Sequence, residues 1–153
     1  MRAKSGFTLV EILIVVVILG ILAAIVIPQF TEASTEAKTS SLCTDLQTMR
    51  SQIELYKIQH SDALPSAASV GLVSAMTTQT DADGDAYASG TSTTGPFGPY
   101  VQKIPTNSFN GSNTIATGTA TTVPIVTDNS AGWYFNTSSG AFNACDSNSH
   151  ADL

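Results

Sequence analysis

Cysteine, histidine and positive charge are all scarce in this chain of 153 residues, which has 2 Cys, 2 His and 6 Lys+Arg against 12 Asp+Glu. Two cysteines exclude a disulfide scaffold and leave room for one bridge at most. With a net charge of -6, the protein offers a phosphate backbone little to hold, and nucleic-acid binding is not expected. Catalytic signatures are missing as well. There is no G-x-S-x-G, phosphate loop, H-E-x-x-H or C-x-x-C, and neither His60 nor His150 has neighbours at ligand spacing. His60 reads as a helix-end residue, no catalytic residue is assigned, and the chain is not expected to be an enzyme. No internal repeat is present, and the N-x-S/T triplets at Asn110 and Asn136 are given no weight in so Ser/Thr-rich a chain.

Polar residues are also nearly absent from "GFTLVEILIVVVILGILAAIVIP", residues 6–28. Ile12 to Ile27 is 16 residues without a charge, and counting from Phe7 gives 21, which as a helix rises about 31 Å, the thickness of a bilayer core. A secretory signal would be shorter and would end in a small-x-small cleavage site, which "AAIVIPQF" lacks. A buried core helix would show a polar face, and none occurs between residues 12 and 27. The segment therefore reads as a membrane-spanning helix. Arg2 and Lys4 before it, with Glu32 and Glu36 after it, orient the N-terminus to the cytoplasm.

Glu11 is the exception inside this run. A carboxylate at mid-membrane costs about 2.5 to 3.5 kcal/mol, less near the interface. Its place near the inner end explains how it is tolerated but not what it does. Downstream, the span offers no partner, so the partner is expected from another molecule or a new chain end.

The residues around Glu11 suggest that end. "KSG" followed by "FTLVEI" resembles the processing signal of the type IV pilin and pseudopilin family, closely over residues 4 to about 30. The resemblance implies that a membrane-embedded prepilin peptidase cleaves between Gly6 and Phe7 and N-methylates Phe7. It also implies that the new α-amine, protonated at neutral pH, pairs with Glu11 of a neighbouring subunit in a helical filament. Two poorly solvated charges would then neutralise one another only when docked in register. An inner-membrane assembly platform and minor pilins or pseudopilins are the further partners implied. Gly20 and Pro28 are weak points of the helix, because proline lacks an N–H and crowds the carbonyl of Ala24. In the family, matching positions bracket a stretch that can lose helicity in the filament. Ordinary plasticity of membrane helices is the other reading.

Beyond Pro28, Leu42, Leu46, Met49, Ile53, Tyr56 and His60 recur at helical spacing, which predicts an amphipathic helix over 29–62 packed against a head. Arg50 and Glu54 stand four apart, within reach of a pair worth only a few tenths of a kcal/mol, and "SDALPS" is expected to end the helix at Pro65. The head, residues 63–153, reads as turn-rich. "VGLVSAMTTQTDADGD" is a short helical or irregular piece, and "SGTSTTGPFG" and "GSNTIATGTATT" read as exposed loops. Strands are expected at 122–127, 132–137 and 140–144, the last two as a hairpin around "TSSG". The expected fold is thus α+β, pilin-like, with a long N-terminal α-helix on a small antiparallel β-sheet head. Residues 1–6 are the leader and 7–28 the membrane and filament-core helix.

"GPYVQKIPTNSF" and "GWYFNTSSGAF" resemble, more loosely, segments of the major pseudopilins of type II secretion. Ser108 stands where a proline is more usual. Their aromatics, Tyr100, Phe109, Trp133 and Phe142, are expected to serve as core and hairpin packing.

Outside the cytoplasm an oxidising compartment permits a bridge between Cys43 and Cys145, and the bridge is the expectation, about 4 to 5 kcal/mol for so long a loop. Two free thiols are the alternative. "DADGD" puts Asp81, Asp83 and Asp85 in one turn, candidate ligands for Ca²⁺, and the resemblance implies calcium in a head loop. The spacing is wrong for an EF-hand, and a solvated acidic turn is the preferred reading. Otherwise no cofactor is expected.

Two function classes remain. One is a filament subunit, with a secretion pseudopilus preferred to a surface pilus; the other is a membrane-tethered binding or enzymatic domain.

Overall fold

The computed structural model describes residues 6–68, 70–87, 95–125 and 129–153. Two compact units divide the chain, Met1–Lys38 and Thr39–Leu153. One helix, α1, contributes to both and runs unbroken from Leu9 to Gln59. Gly20 and Pro28, the weak points named above, both lie inside this continuous helix. A single proline removes one hydrogen bond of the ladder, and the turns on both sides keep theirs.

Within the second unit the helical stripe packs as the spacing predicts. Leu42, Leu46, Met49, Ile53, Tyr56 and His60 are all buried. They meet Ala75 and Met76 of α2 (Leu72–Thr77), together with Tyr100, Ile104, Trp133, Phe135, Phe142 and Ala144. The end of α1 falls at Gln59 rather than at Pro65. Ser61 and Asp62 take positive φ values of 53° and 69°, and the N–H of Asp62 bonds back to the carbonyl of Lys57 at 2.8 Å. That left-handed turn satisfies a last-turn carbonyl. Pro65 begins a short 3₁₀ turn, Pro65–Ala67, instead.

The head sheet has three strands in the order β1-β2-β3: Ile115–Gly118, Trp133–Asn136 and Phe142–Ala144. β2 and β3 form the expected hairpin, antiparallel with Trp133 opposite Ala144. Asn136 closes its turn by accepting the N–H groups of Ser138 and Ser139. β1 departs from expectation in two respects. It lies in the stretch read as an exposed loop, and it pairs parallel to β2, so the sheet is mixed rather than antiparallel. Residues 122–125 are not a strand; 126 and 127, and most of the "SGTSTTGPFG" loop, lie outside the described residues. The physical cause is the crossover. Residues 119–132 join β1 to β2, long enough to bring the chain back in the same direction. The Tyr134 hydroxyl accepts the N–H of Ala120 at 3.0 Å, and the Asn136 amide donates to the Ala120 carbonyl at 2.9 Å.

The two faces of the sheet carry different clusters. Trp133, Phe135, Phe142 and Ala144 belong to the core built on α1, while Tyr134 and Cys145 pack with Ala131, Ala116 and Val123 in a second, smaller cluster. This follows from the alternation of side chains along a strand.

Candidate functional site

Gly6, Phe7 and Thr8 precede the helix, and Phe7 is 81% exposed. The reason the helix starts at Leu9 lies in "TLVE". The Glu11 N–H donates to the Thr8 hydroxyl oxygen at 3.3 Å, and the Glu11 carboxylate accepts from both the N–H and the hydroxyl of Thr8, each at 2.7 Å. This reciprocal arrangement is a capping box, in which side chains satisfy donors that a helix start leaves open. A carboxylate in the first turn also lies at the positive end of the helix dipole.

Glu11 therefore has a partner in its own chain, upstream of it rather than downstream in the span. Ser/Thr-x-x-Glu just before an apolar run is the sequence signal that identifies it. The expected pairing with a neighbour is a question of what replaces or joins Thr8, rather than of an acid left alone.

From Leu9 to Phe30 every residue of α1 is exposed. Leu9, Ile14, Ile18, Leu22, Ile25 and Ile27 show between 51% and 81% of their surface. This is the one helix among the described residues long and apolar enough to cross a membrane. Apolar area on that scale is not left to water in a soluble monomer.

The cysteines, the acidic turn and the remaining predicted residues of the head belong to the second unit. Cys43 is exposed on α1, and Cys145 is buried; both are free thiols, so the expected bridge is not formed. The stripe explains why. Leu42 takes the core position and turns the next residue outward, while Cys145 sits in the cluster on the sheet face away from α1. Burial, with the Asp146 carboxylate beside it, pushes the Cys145 thiol up to about 11.

Asp81, Asp83 and Asp85 do not converge as ligands, and among the described residues no group of three or more His, Cys, Asp or Glu is placed to hold a metal ion. The Asp81 carboxylate instead accepts the N–H groups of Asp83 at 3.2 Å and Asp85 at 3.0 Å, closing the turn upon itself.

Arg50 does not pair with Glu54. Its Nε donates to the carbonyl of Phe142 and its Nη1 to that of Leu153, both at 2.9 Å, and Glu54 binds Lys57 at 3.2 Å. His60 is more than a helix end. It is buried and stacked on Tyr56 at 3.8 Å, with Nδ1 on the Tyr56 carbonyl and Nε2 on the Thr80 hydroxyl. A carbonyl only accepts, so Nδ1 carries a proton. Tyr100 closes the same cluster, and its hydroxyl donates to Gln59 at 2.6 Å. Burial, and then the neighbouring Tyr56, pushes the Tyr100 phenol up to about 12.

In the segment that resembles major pseudopilins, Asn107 is fully buried. It donates to the Gly132 carbonyl at 2.9 Å and the Asp146 carboxylate at 2.7 Å, and accepts the N–H of Phe109 at 2.9 Å. The Trp133 indole N–H donates to the Pro105 carbonyl at 2.8 Å. These are structural contacts that seat the segment on the hairpin.

Comparison with known proteins bears on the N-terminal segment. Residues 1–27 match a family model described as the prokaryotic N-terminal methylation motif. The type II secretion system core protein G of Pseudomonas aeruginosa is 44% identical over 59 residues, 39% of this chain and 42% of that protein. The core protein G of Vibrio cholerae is 39% identical over 61 residues, 40% of this chain and 42% of that protein. A fimbrial protein of Pseudomonas aeruginosa is 34% identical over 67 residues, 44% of each chain. No solved structure matches. These similarities support the resemblance of the N-terminal segment to type IV pilins and pseudopilins. Of these three relatives, the two named core protein G are the more similar. The matched part spans about 42% of their length.

Proposed function

We propose that this protein is a structural subunit of a type IV-like filament, made as a prepilin, cut between Gly6 and Phe7, N-methylated on Phe7 and assembled through its apolar helix. The subunit is held in the inner membrane with its N-terminus in the cytoplasm and its head outside. The observation that carries this reading is the union of the methylation motif over residues 1–27 with a 51-residue helix whose first half leaves its apolar side chains exposed. A tether for a binding or enzymatic domain needs the apolar length but has no use for the methylation motif. In the filament, the Phe7 amine of one subunit meets the Glu11 carboxylate of the next, and both charges lose less by desolvation together than either does alone.

The filament is a type II secretion pseudopilus, a preference supported by the similarity to the core protein G relatives. The surface pilus is the second reading, supported by the fimbrial relative. Prepilin peptidase, an inner-membrane assembly platform and minor pseudopilins are the partners this entails.

N-terminal sequencing of the mature protein should begin at methylated Phe7; an intact Met1 overturns the proposal. Glu11→Val should be inserted and processed but join filaments poorly, and a normal filament yield from it rules out the amine pairing. Deletion of the gene separates the two filaments, since a pseudopilus subunit is needed for secretion of folded proteins and a pilus subunit for surface fibres.

A further inference from the structure

The main-chain oxygens of Thr114 and Gly118 turn toward β2, where they accept the N–H groups of Trp133 at 3.2 Å and Thr137 at 2.8 Å. Parallel pairing uses alternate residues, so the N–H and C=O groups of Ile115 and Thr117 turn to the other side. β1 is the edge of its sheet, and among the described residues none bonds to those four groups. Protein edges are commonly blunted by charge, proline, a bulge or a covering segment. "IATG" has neither charge nor proline, and its register with β2 is continuous.

Beside this edge lies a cavity of about 460 Å³, whose lining includes Val73 and Thr77 of α2 together with Lys103, Ile104 and Ile115. Lys103 is exposed at its rim. Thr39–Leu153 contains nine acids and three basic side chains, Arg50, Lys57 and Lys103. Arg50 is bound to two main-chain oxygens, and Lys57 to Glu54 and Asp62. Lys103 is paired with none of the described carboxylates, although acids outnumber bases three to one in its unit.

We propose that the β1 edge is a docking site for an extended acidic segment of a partner protein, which adds as a further strand beside Ile115 and Thr117 and sets a carboxylate against Lys103. Strand addition draws its affinity from main-chain hydrogen bonds and its selectivity from the pocket that takes an alternate side chain. The edge supplies the first, and the cavity with Lys103 the second. This site lies in the head and does not depend on the filament reading.

The test uses the full chain in detergent micelles and an octapeptide alternating Val and Thr with one central Glu, with a matched Lys peptide. Binding of the Glu peptide should slow hydrogen exchange at the Ile115 and Thr117 amides at least tenfold. Thr117→Pro removes an outward-facing donor and leaves the bonds to β2 in place, so it should abolish binding with Trp133 fluorescence unchanged. Lys103→Glu should weaken the Glu peptide at least tenfold and strengthen the Lys peptide, a reversal that decides the matter even if the proline variant misfolds. Unchanged exchange at both amides, or equal binding of the two peptides by the unmodified protein, overturns the proposal. Protection that arises without peptide and grows with protein concentration assigns the edge to a second copy of this chain and overturns the acidic partner.

Discussion

Thr8 and Glu11 each satisfy a main-chain donor of the other, and that exchange makes an acid tolerable at the head of an apolar helix. Reading only forward from Glu11 leaves it unpaired; the residue three places back was legible as a helix start and settles its local geometry. The cysteines show the opposite limit. Compartment and loop length favour a bridge, but neither reports which face of a sheet a residue occupies, and Cys145 packs with Tyr134 rather than with the α1 core. In the folded full chain a thiol reagent at neutral pH should therefore modify Cys43 quickly and Cys145 only after unfolding, without prior reduction. With its thiol pushed up to about 11, Cys145 should form little thiolate even at pH 9. Two unreactive cysteines that reduction makes reactive would restore the bridge.

At the scale of elements, α1 was readable because its pattern repeats over five turns and each contact position is an apolar or aromatic residue. Its end was not, because a left-handed turn at Ser61 and Asp62 carries less sequence signal than Pro65. Met49→Ala removes a fully buried side chain and should cost roughly 2 to 5 kcal/mol in urea unfolding. Ser51→Ala, on the exposed side of the same helix, should stay within about 0.5 kcal/mol. Equal effects would mean that the stripe is not the packing face. β1 is weakly marked because "IATG" sets its two strand formers, Ile115 and Thr117, beside alanine and glycine, whereas "TVPIVT" is rich in them. Propensity measures fit to a pleated surface; here Val123 fills the second cluster while Pro124 lacks the N–H a ladder needs.

For the molecule as a whole, the α+β class followed from one long periodic segment and a turn-rich remainder, and the hairpin from its turn residues. The direction of β1 did not, since it depends on how residues 119–132 cross the sheet. The acidic turn at Asp81 closes through its own backbone, so the melting temperature should be the same in a chelator and in millimolar calcium. A rise of several degrees with calcium would mean that the cation organises the turn. Among the described residues, the core draws no side chain from before Leu42. A version starting at residue 29 would keep all of that packing, dispense with detergent, and let the head be crystallised and screened as an ordinary water-soluble domain.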